Sequence, residues 1–253
     1  MTKISERIQT VLFGYNVNTL MKLAHESLDR HEAPLYSVSE VALYVGVARS
    51  TLRSWLKPTA SIKRIAASPP LIEPANPEDL TLSFYNLCEA HILLATRRQK
   101  KISMPRVRRA LDFVRERYPS PHPLLDKRFR TAGKHIFIHE IEGLDPINVS
   151  GGGQVTFSQI LEEHLERVVP DASTGFPEIL YPIGTNHIEI DLHSASGRPT
   201  VKNSGVLAAT LWDRAQAGES IDSLAYDYDI PKIHVEEAVG YIRDRSHLAL
   251  IAA

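Results

Sequence analysis

The chain has 253 residues, 43% hydrophobic and 23% charged, so it can bury a core and is not a disordered polymer. Its single cysteine, Cys88, excludes a disulfide framework within one chain and a cysteine-based zinc cage, and fits a reducing compartment. No run of 18 apolar residues occurs, which excludes a spanning helix, and Lys3, Glu6 and Arg7 make the opening stretch a poor secretory signal. A soluble cytoplasmic protein of about two domains is the expectation. The net charge of −1 conceals a split. Residues 1–134 hold 22 Lys and Arg against 12 Asp and Glu, a net of +10, whereas residues 135–253 hold 7 against 18, a net of −11. Such a split predicts two surfaces for two kinds of partner, the basic one suited to a polyanion.

Residues 3–30 place Ile4, Ile8, Val11 and Leu12, then Leu20, Leu23, Ala24 and Leu28, at helical spacing, so 1–35 reads as a helical extension. From Tyr36 the signals sharpen. Ser37 can cap a helix whose inner face is Val38, Val41, Ala42 and Val45. Gly46 supplies the positive φ of a tight turn. A second helix then opens at Ala48, turns Leu52, Trp55 and Leu56 inward, and stops at Pro58. Two short helices about a glycine turn are a helix-turn-helix. Prolines 58, 69, 70, 74 and 77 argue against further helix, and short strands at 62–66 and 71–72 would make a wing. Helices follow at 82–95 and 104–117, the second opened by Ser103 and Pro105 with Val107, Ala110, Leu111 and Val114 inward. Residues 36–130 form the expected DNA-binding domain.

Beyond Lys134 the pattern shifts. Residues 134–149 alternate with a period of two and predict a hairpin turning at 143–146. After a glycine break at 151–153 come a helix at 157–168 and strands at 178–183 and 187–192, so 131–195 reads as a β-rich connecting region. The tail, 196–253, has a turn at 196–199 and helices at 204–217, 221–228 and 231–249. Ser220 caps the second, and Asp229-Ile230-Pro231 separates it from the third, whose inner face is Val235, Ala238, Val239 and Ile242. This is a second helix-turn-helix-like unit. The fold class is mainly α with small β elements.

A helix-turn-helix reads DNA by setting its second helix in the major groove. In the first unit that helix offers Arg49, Ser50, Thr51, Arg53, Ser54 and Lys57; guanidinium groups bond guanine bidentately and hydroxyls bond bases or phosphates. The stretch 97–109 has seven basic residues and no acid: Arg97, Arg98, Lys100, Lys101, Arg106, Arg108 and Arg109 are the expected phosphate contacts. The second unit offers Asp222, Asp227, Asp229, Glu236 and Glu237 beside Lys232 and His234. Carboxylates repel phosphates, so this unit is expected to face a protein partner or a second copy.

His187, Glu189, Asp191 and His193 share one face of a predicted strand, but same-face side chains diverge along a strand rather than converge on one ion. They read as its wet face, as do His135 and His139, and no metal or cofactor is expected. Cys88 reads as core. Nucleophile elbow, phosphate loop, dinucleotide and metalloprotease motifs are absent, which leaves an enzyme little to stand on. Two rivals are a ligand-sensing regulator with its effector in 134–192 and a metal hydrolase built on His187 to His193.

Ser39-Glu40-Val41-Ala42, Gly46-Val47, Ser50-Thr51-Leu52-Arg53 and Trp55 resemble the MerR-type winged helix. The later stretch 82–111 looks like that fold's second helix pair, with Ser103 and Val107-Arg108 at its opening. The tail departs from MerR regulators, which carry a long dimerising coiled coil. Ser196-Gly197-Arg198-Pro199, Ala217-Gly218-Glu219-Ser220-Ile221, Leu224-Ala225, Asp227-Tyr228 and Val235-Glu236-Glu237-Ala238 instead resemble the small C-terminal domain, formerly of unknown function, of antitoxins in VapBC-like modules. One departure is that Lys202-Asn203-Ser204-Gly205 lacks the proline that usually ends this motif's turn. The resemblance, to a VapB antitoxin subgroup, implies a protein that binds operator DNA, represses its own operon and silences a PIN-like ribonuclease toxin; a homodimer is expected because operators are commonly palindromic.

Overall fold

The computed structural model describes residues 30–59, 68–98, 102–142, 156–172 and 174–251. Nearly all of the expected 3–30 extension lies outside these residues. Helices α1 (Val38–Val45) and α2 (Arg49–Trp55) form the first unit. Ser37 and Glu40 make a reciprocal capping box: the Ser37 hydroxyl accepts from the Glu40 amide at 3.2 Å, and the Glu40 carboxylate accepts from the Ser37 amide at 2.8 Å. Gly46 closes α1 at φ +80°. Leu52 and Trp55 are fully buried.

Thr59 and Ser68 pair through two backbone hydrogen bonds, which close the base of a loop whose 60–67 portion, with the expected strand at 62–66, lies outside the described residues. Residues 71–72 are not the other strand. Both amides donate to the Trp55 carbonyl, at 2.8 Å for Leu71 and 3.2 Å for Ile72, so this segment caps the end of α2.

Helices α3 (Phe84–Arg98) and α4 (Met104–Arg117) follow as expected. The hairpin expected from 134 onward is instead helix α5 (Lys134–Glu142), entered through a π-helical turn, Phe129–Gly133. Phe129, Gly133, Phe137 and Ile141 recur every four residues and are all buried, while Ile136 and Ile138 are only half-buried. The four-residue spacing of the largest apolar groups therefore overrides the apparent alternation. The expected turn at 143–146 lies outside the described residues. Helix α6 (Phe157–Glu166) carries a second capping box, between Thr156 and Gln159.

A four-stranded antiparallel sheet then runs in chain order: β1 (Val168–Pro170), β2 (Pro177–Leu180), β3 (Ile188–Asp191) and β4 (Pro199–Val201). Strands β2 and β3 are shorter forms of the two expected strands. Residue 168 belongs to β1 rather than to the end of a helix, and Pro199 opens β4 rather than closing a turn. On β3, Ile188 and Ile190 are fully buried but enter different cores: Ile190 joins the large one, which gathers residues from Tyr36 onward, and Ile188 the small one of the tail.

The tail comprises α7 (Ala208–Gln216), α8 (Ile221–Tyr228) and α9 (Lys232–Ile251). Ser220 caps α8, and Asp229, at φ +51°, ends it. Leu224, Val235, Ala238, Tyr241 and Ile242 fill the small core. Two buried tyrosines tie the tail to the head: Tyr241 donates to the Tyr44 carbonyl and Tyr36 to the Gly197 carbonyl, each at 2.9 Å. Gly197 sits at φ +72°, and a Cβ there would lie 2.2 Å from the Tyr36 hydroxyl. Among the described residues, no helix is long and apolar enough to cross a membrane.

Candidate nucleic-acid interface

Burial of Leu52 and Trp55 fixes which side of α2 faces out. Ser50, Arg53, Ser54 and Lys57 are exposed there, while Arg49 and Thr51 are half-buried. The Arg49 Nε is buried without a hydrogen-bond partner. The Ser54 hydroxyl donates to the Thr51 carbonyl at 2.6 Å, so its proton is already engaged.

The second basic group divides. Arg97 and Arg109 are exposed and Arg106 is half-buried. Arg98 is exposed but pairs with Glu163 at 2.8 Å. Lys100 and Lys101 lie outside the described residues. Arg108 departs from its expected place on the surface. It is 9% exposed, and its guanidinium donates to the carbonyls of Pro69 at 2.8 Å and Ser54 at 2.9 Å, with Lys57 at 3.4 Å. Burial is the main cause of its lowered pKa. Arg115 extends the clasp, donating to the carbonyls of Pro70 at 2.7 Å and Leu71 at 3.1 Å. These two arginines anchor the end of α2 and the proline loop to α4, a role the sequence reading missed. The signal was present: Arg108, Leu111 and Arg115 share one helical face.

The acidic set also divides. Asp222 pairs with Lys232 at 2.8 Å and Asp227 with Arg214 at 2.7 Å; Arg214 also holds Glu219. Asp229 and Glu236 are exposed. Glu237 faces inward: one carboxylate oxygen accepts from the amides of Asn186 at 2.6 Å and His187 at 2.8 Å, and the other meets His187 Nδ1 at 2.8 Å. Burial alone would raise the Glu237 pKa, but these hydrogen bonds outweigh it and hold the carboxyl below its ordinary range. Glu237 therefore clamps β3 to α9.

His187 stacks on His234 with ring centroids 3.8 Å apart, and His193 lies 3.4 Å from Glu178. Among the described residues, no three His, Cys, Asp or Glu side chains are grouped to hold a metal. His135 and His139 are exposed on α5, and Cys88 is buried. A cleft of about 360 Å³ in the middle region is lined by Arg130, Glu162, Leu165, Glu166 and β1. Arg130 there donates to the carbonyls of Leu165 and Val168, so its charge is turned to the protein's own backbone. Nearby, His91 on α3 and His164 on α6 are buried with ring centroids 5.1 Å apart, and the Nε2 of each has no hydrogen-bond partner. Burial is the main cause of the lowered pKa of both, that of His91 well below the ordinary value.

A capped, glycine-turned helix pair with an outward arginine on its second helix, followed by an acidic helical tail, defines a two-part protein headed by a helix-turn-helix. A family model described as "Putative DNA-binding HTH domain" matches residues 34–111. A second, described as "Protein of unknown function (DUF433)", matches residues 188–242. The chain is a distant homologue of "Putative antitoxin VapB45" of Mycobacterium tuberculosis (strain ATCC 25618 / H37Rv), with 26% identity over 230 residues, 84% of this chain and 95% of that one. The X-ray crystal structure of Rv2018 from Mycobacterium tuberculosis has the same overall fold: TM-score 0.61 and 23% identity over 83% of this chain and 99% of that one.

Proposed function

We propose that the protein is an antitoxin that represses its own operon through the head and neutralises a PIN-like ribonuclease toxin through the tail. The observation that carries this is the outward display of Ser50 and Arg53 on α2, with Trp55 buried behind them, in a chain related to an antitoxin over most of its length. In this reading Arg49, Ser50, Thr51, Arg53 and Lys57 meet base edges and nearby phosphates. Arg97, Arg98, Lys100, Lys101, Arg106 and Arg109 grip phosphates, whereas Arg108 serves the fold. Asp222, Asp227, Asp229 and Glu236 face the toxin or the second copy. This reading divides the work between 36–130 for DNA and 196–253 for the partner protein, with 131–195 between them. A homodimer on a palindromic operator fits two copies of α2 spaced one helical turn apart.

The test is duplex binding upstream of the protein's own reading frame. Replacing Arg49 and Arg53 together with Ala lowers operator affinity on the order of 100-fold and leaves toxin neutralisation intact. Loss of both activities in a folded variant refutes the division of labour.

A further inference from the structure

Among the described residues of the tail, two large apolar side chains are displayed that the fold does not bury. Tyr226 on α8 is 88% exposed and Ile233 on α9 is 62% exposed, each on the face of its helix opposite the small core. Both lie in helical segments whose inner faces are well filled, so their display is not a by-product of loose packing.

The ion pair between Asp222 and Lys232 joins the two outward faces. Tyr226 lies one turn after Asp222 on α8. Ile233 follows Lys232 directly on α9, and Glu236 lies one turn after it. On and between the same two helices stand exposed Asp222, Asp227, Asp229 and Glu236, and the cations Lys232 and Arg214 are already paired with Asp222 and Asp227. The surface is thus an aromatic and an aliphatic anchor inside an acidic rim. Aromatic anchors ringed by polar groups are where binding energy concentrates in protein interfaces, and rim charges select the partner's sign.

We infer that Tyr226 and Ile233 form the anchor of a docking surface for a protein that presents an apolar pocket rimmed by Lys and Arg, the surface character of a nucleic-acid-gripping enzyme. This rests on the antitoxin reading and assigns the toxin's place on it. Charge complementarity decides between classes of occupant: nucleic acid is repelled by the rim, and a lipid headgroup surface of negative charge is repelled as well.

The probe is the protein encoded by the reading frame adjoining this one, titrated against the full chain. Tyr226→Ala with Ile233→Ala lowers its affinity at least about 30-fold. Operator binding, the unfolding midpoint and the size of the purified protein stay unchanged. Asp229→Lys with Glu236→Lys slows association about tenfold at low salt, a difference that shrinks as salt rises. If the adjoining protein binds the wild type and the Ala variant equally, the docking assignment is wrong and the antitoxin reading stands. If it does not bind the wild type, the antitoxin reading fails and takes this inference with it. If the Ala variant alone falls to a smaller assembly, the surface belongs to a second copy of this chain and the inference is overturned.

Discussion

The two helix-turn-helix units share a plan and differ in what they turn outward. Each has a serine-capped helix, a single left-handed residue at the turn, and a following helix with one buried face. The first turns at Gly46 and shows Ser50, Arg53 and Lys57; the second turns at Asp229 and shows Asp222, Tyr226, Ile233 and Glu236. The backbone motif sets where a side chain points. The chemistry of that side chain decides what it can meet.

Aromatic substitution breaks the comparison most sharply. Trp55→Ala in the first unit costs about 3–5 kcal/mol, because Trp55 is fully buried and its removal leaves a cavity. Tyr226→Ala in the second changes stability by no more than about 0.5 kcal/mol, since the ring faces water. Chemical denaturation of both variants measures the contrast, and equal losses would show that Tyr226 is part of the packing.

A salt titration sharpens the electrostatic side. Arg97→Ala with Arg109→Ala lowers the slope of log affinity against log salt by about 1.8 and weakens all duplexes alike. The same measurement on an Asp229→Ala, Glu236→Ala variant leaves the slope unchanged. An unaltered slope in the first variant removes both arginines from the phosphate contacts.

The turns themselves respond in opposite directions. Gly46→Ala strains a backbone at φ +80° and costs about 1 kcal/mol or more. Asp229→Gly relaxes a non-glycine at φ +51° and gains up to about 1 kcal/mol, less what glycine adds to unfolded-chain entropy. Thermal unfolding midpoints should move apart accordingly.

The smallest effect is on pH. His91 and His164 have depressed pKa values in the fold, so their contribution is complete above their ordinary value near 6.5 and is lost as pH falls below it. His122 works the other way. Its burial is outweighed by the Glu89 hydrogen bond and charge, which raise its pKa, so its contribution is complete below about 6.5 and lost as pH rises past the raised value. In the tail, Glu237 loses its contribution only in more acid solution, as pH falls through its lowered pKa. His91→Leu should therefore flatten the decline in stability between about pH 7 and pH 5; an unchanged decline would assign it to other groups.

The first unit was legible because its signals are local. Ser37, Gly46, Trp55 and Pro58 each act within a few residues of themselves. The tail's caps were legible for the same reason, although α7 begins at Ala208 rather than 204, because the Val201 amide donates to the Val206 carbonyl and makes 202–205 a turn. Strands β1 and β4 were not legible: each has three residues, includes a proline, and exists only through a distant partner. Helix α5 was not legible because residues 134–149 alternate locally in polarity, while burial follows the four-residue spacing of Phe129, Gly133, Phe137 and Ile141. Arg108 was read as surface because a charge run gives no hint that carbonyls from residues 54, 57 and 69 will converge on one member of it.

Gly197 offers a handle on the whole molecule. Its bare α-carbon is what lets the Tyr36 phenol rest against the start of the tail. One methyl group placed there acts as a wedge at the seam, prying the front of the chain from the rear without altering a charged residue in either. A protein whose ends merely share a tether would tolerate the wedge, whereas one whose ends brace each other would feel it at both.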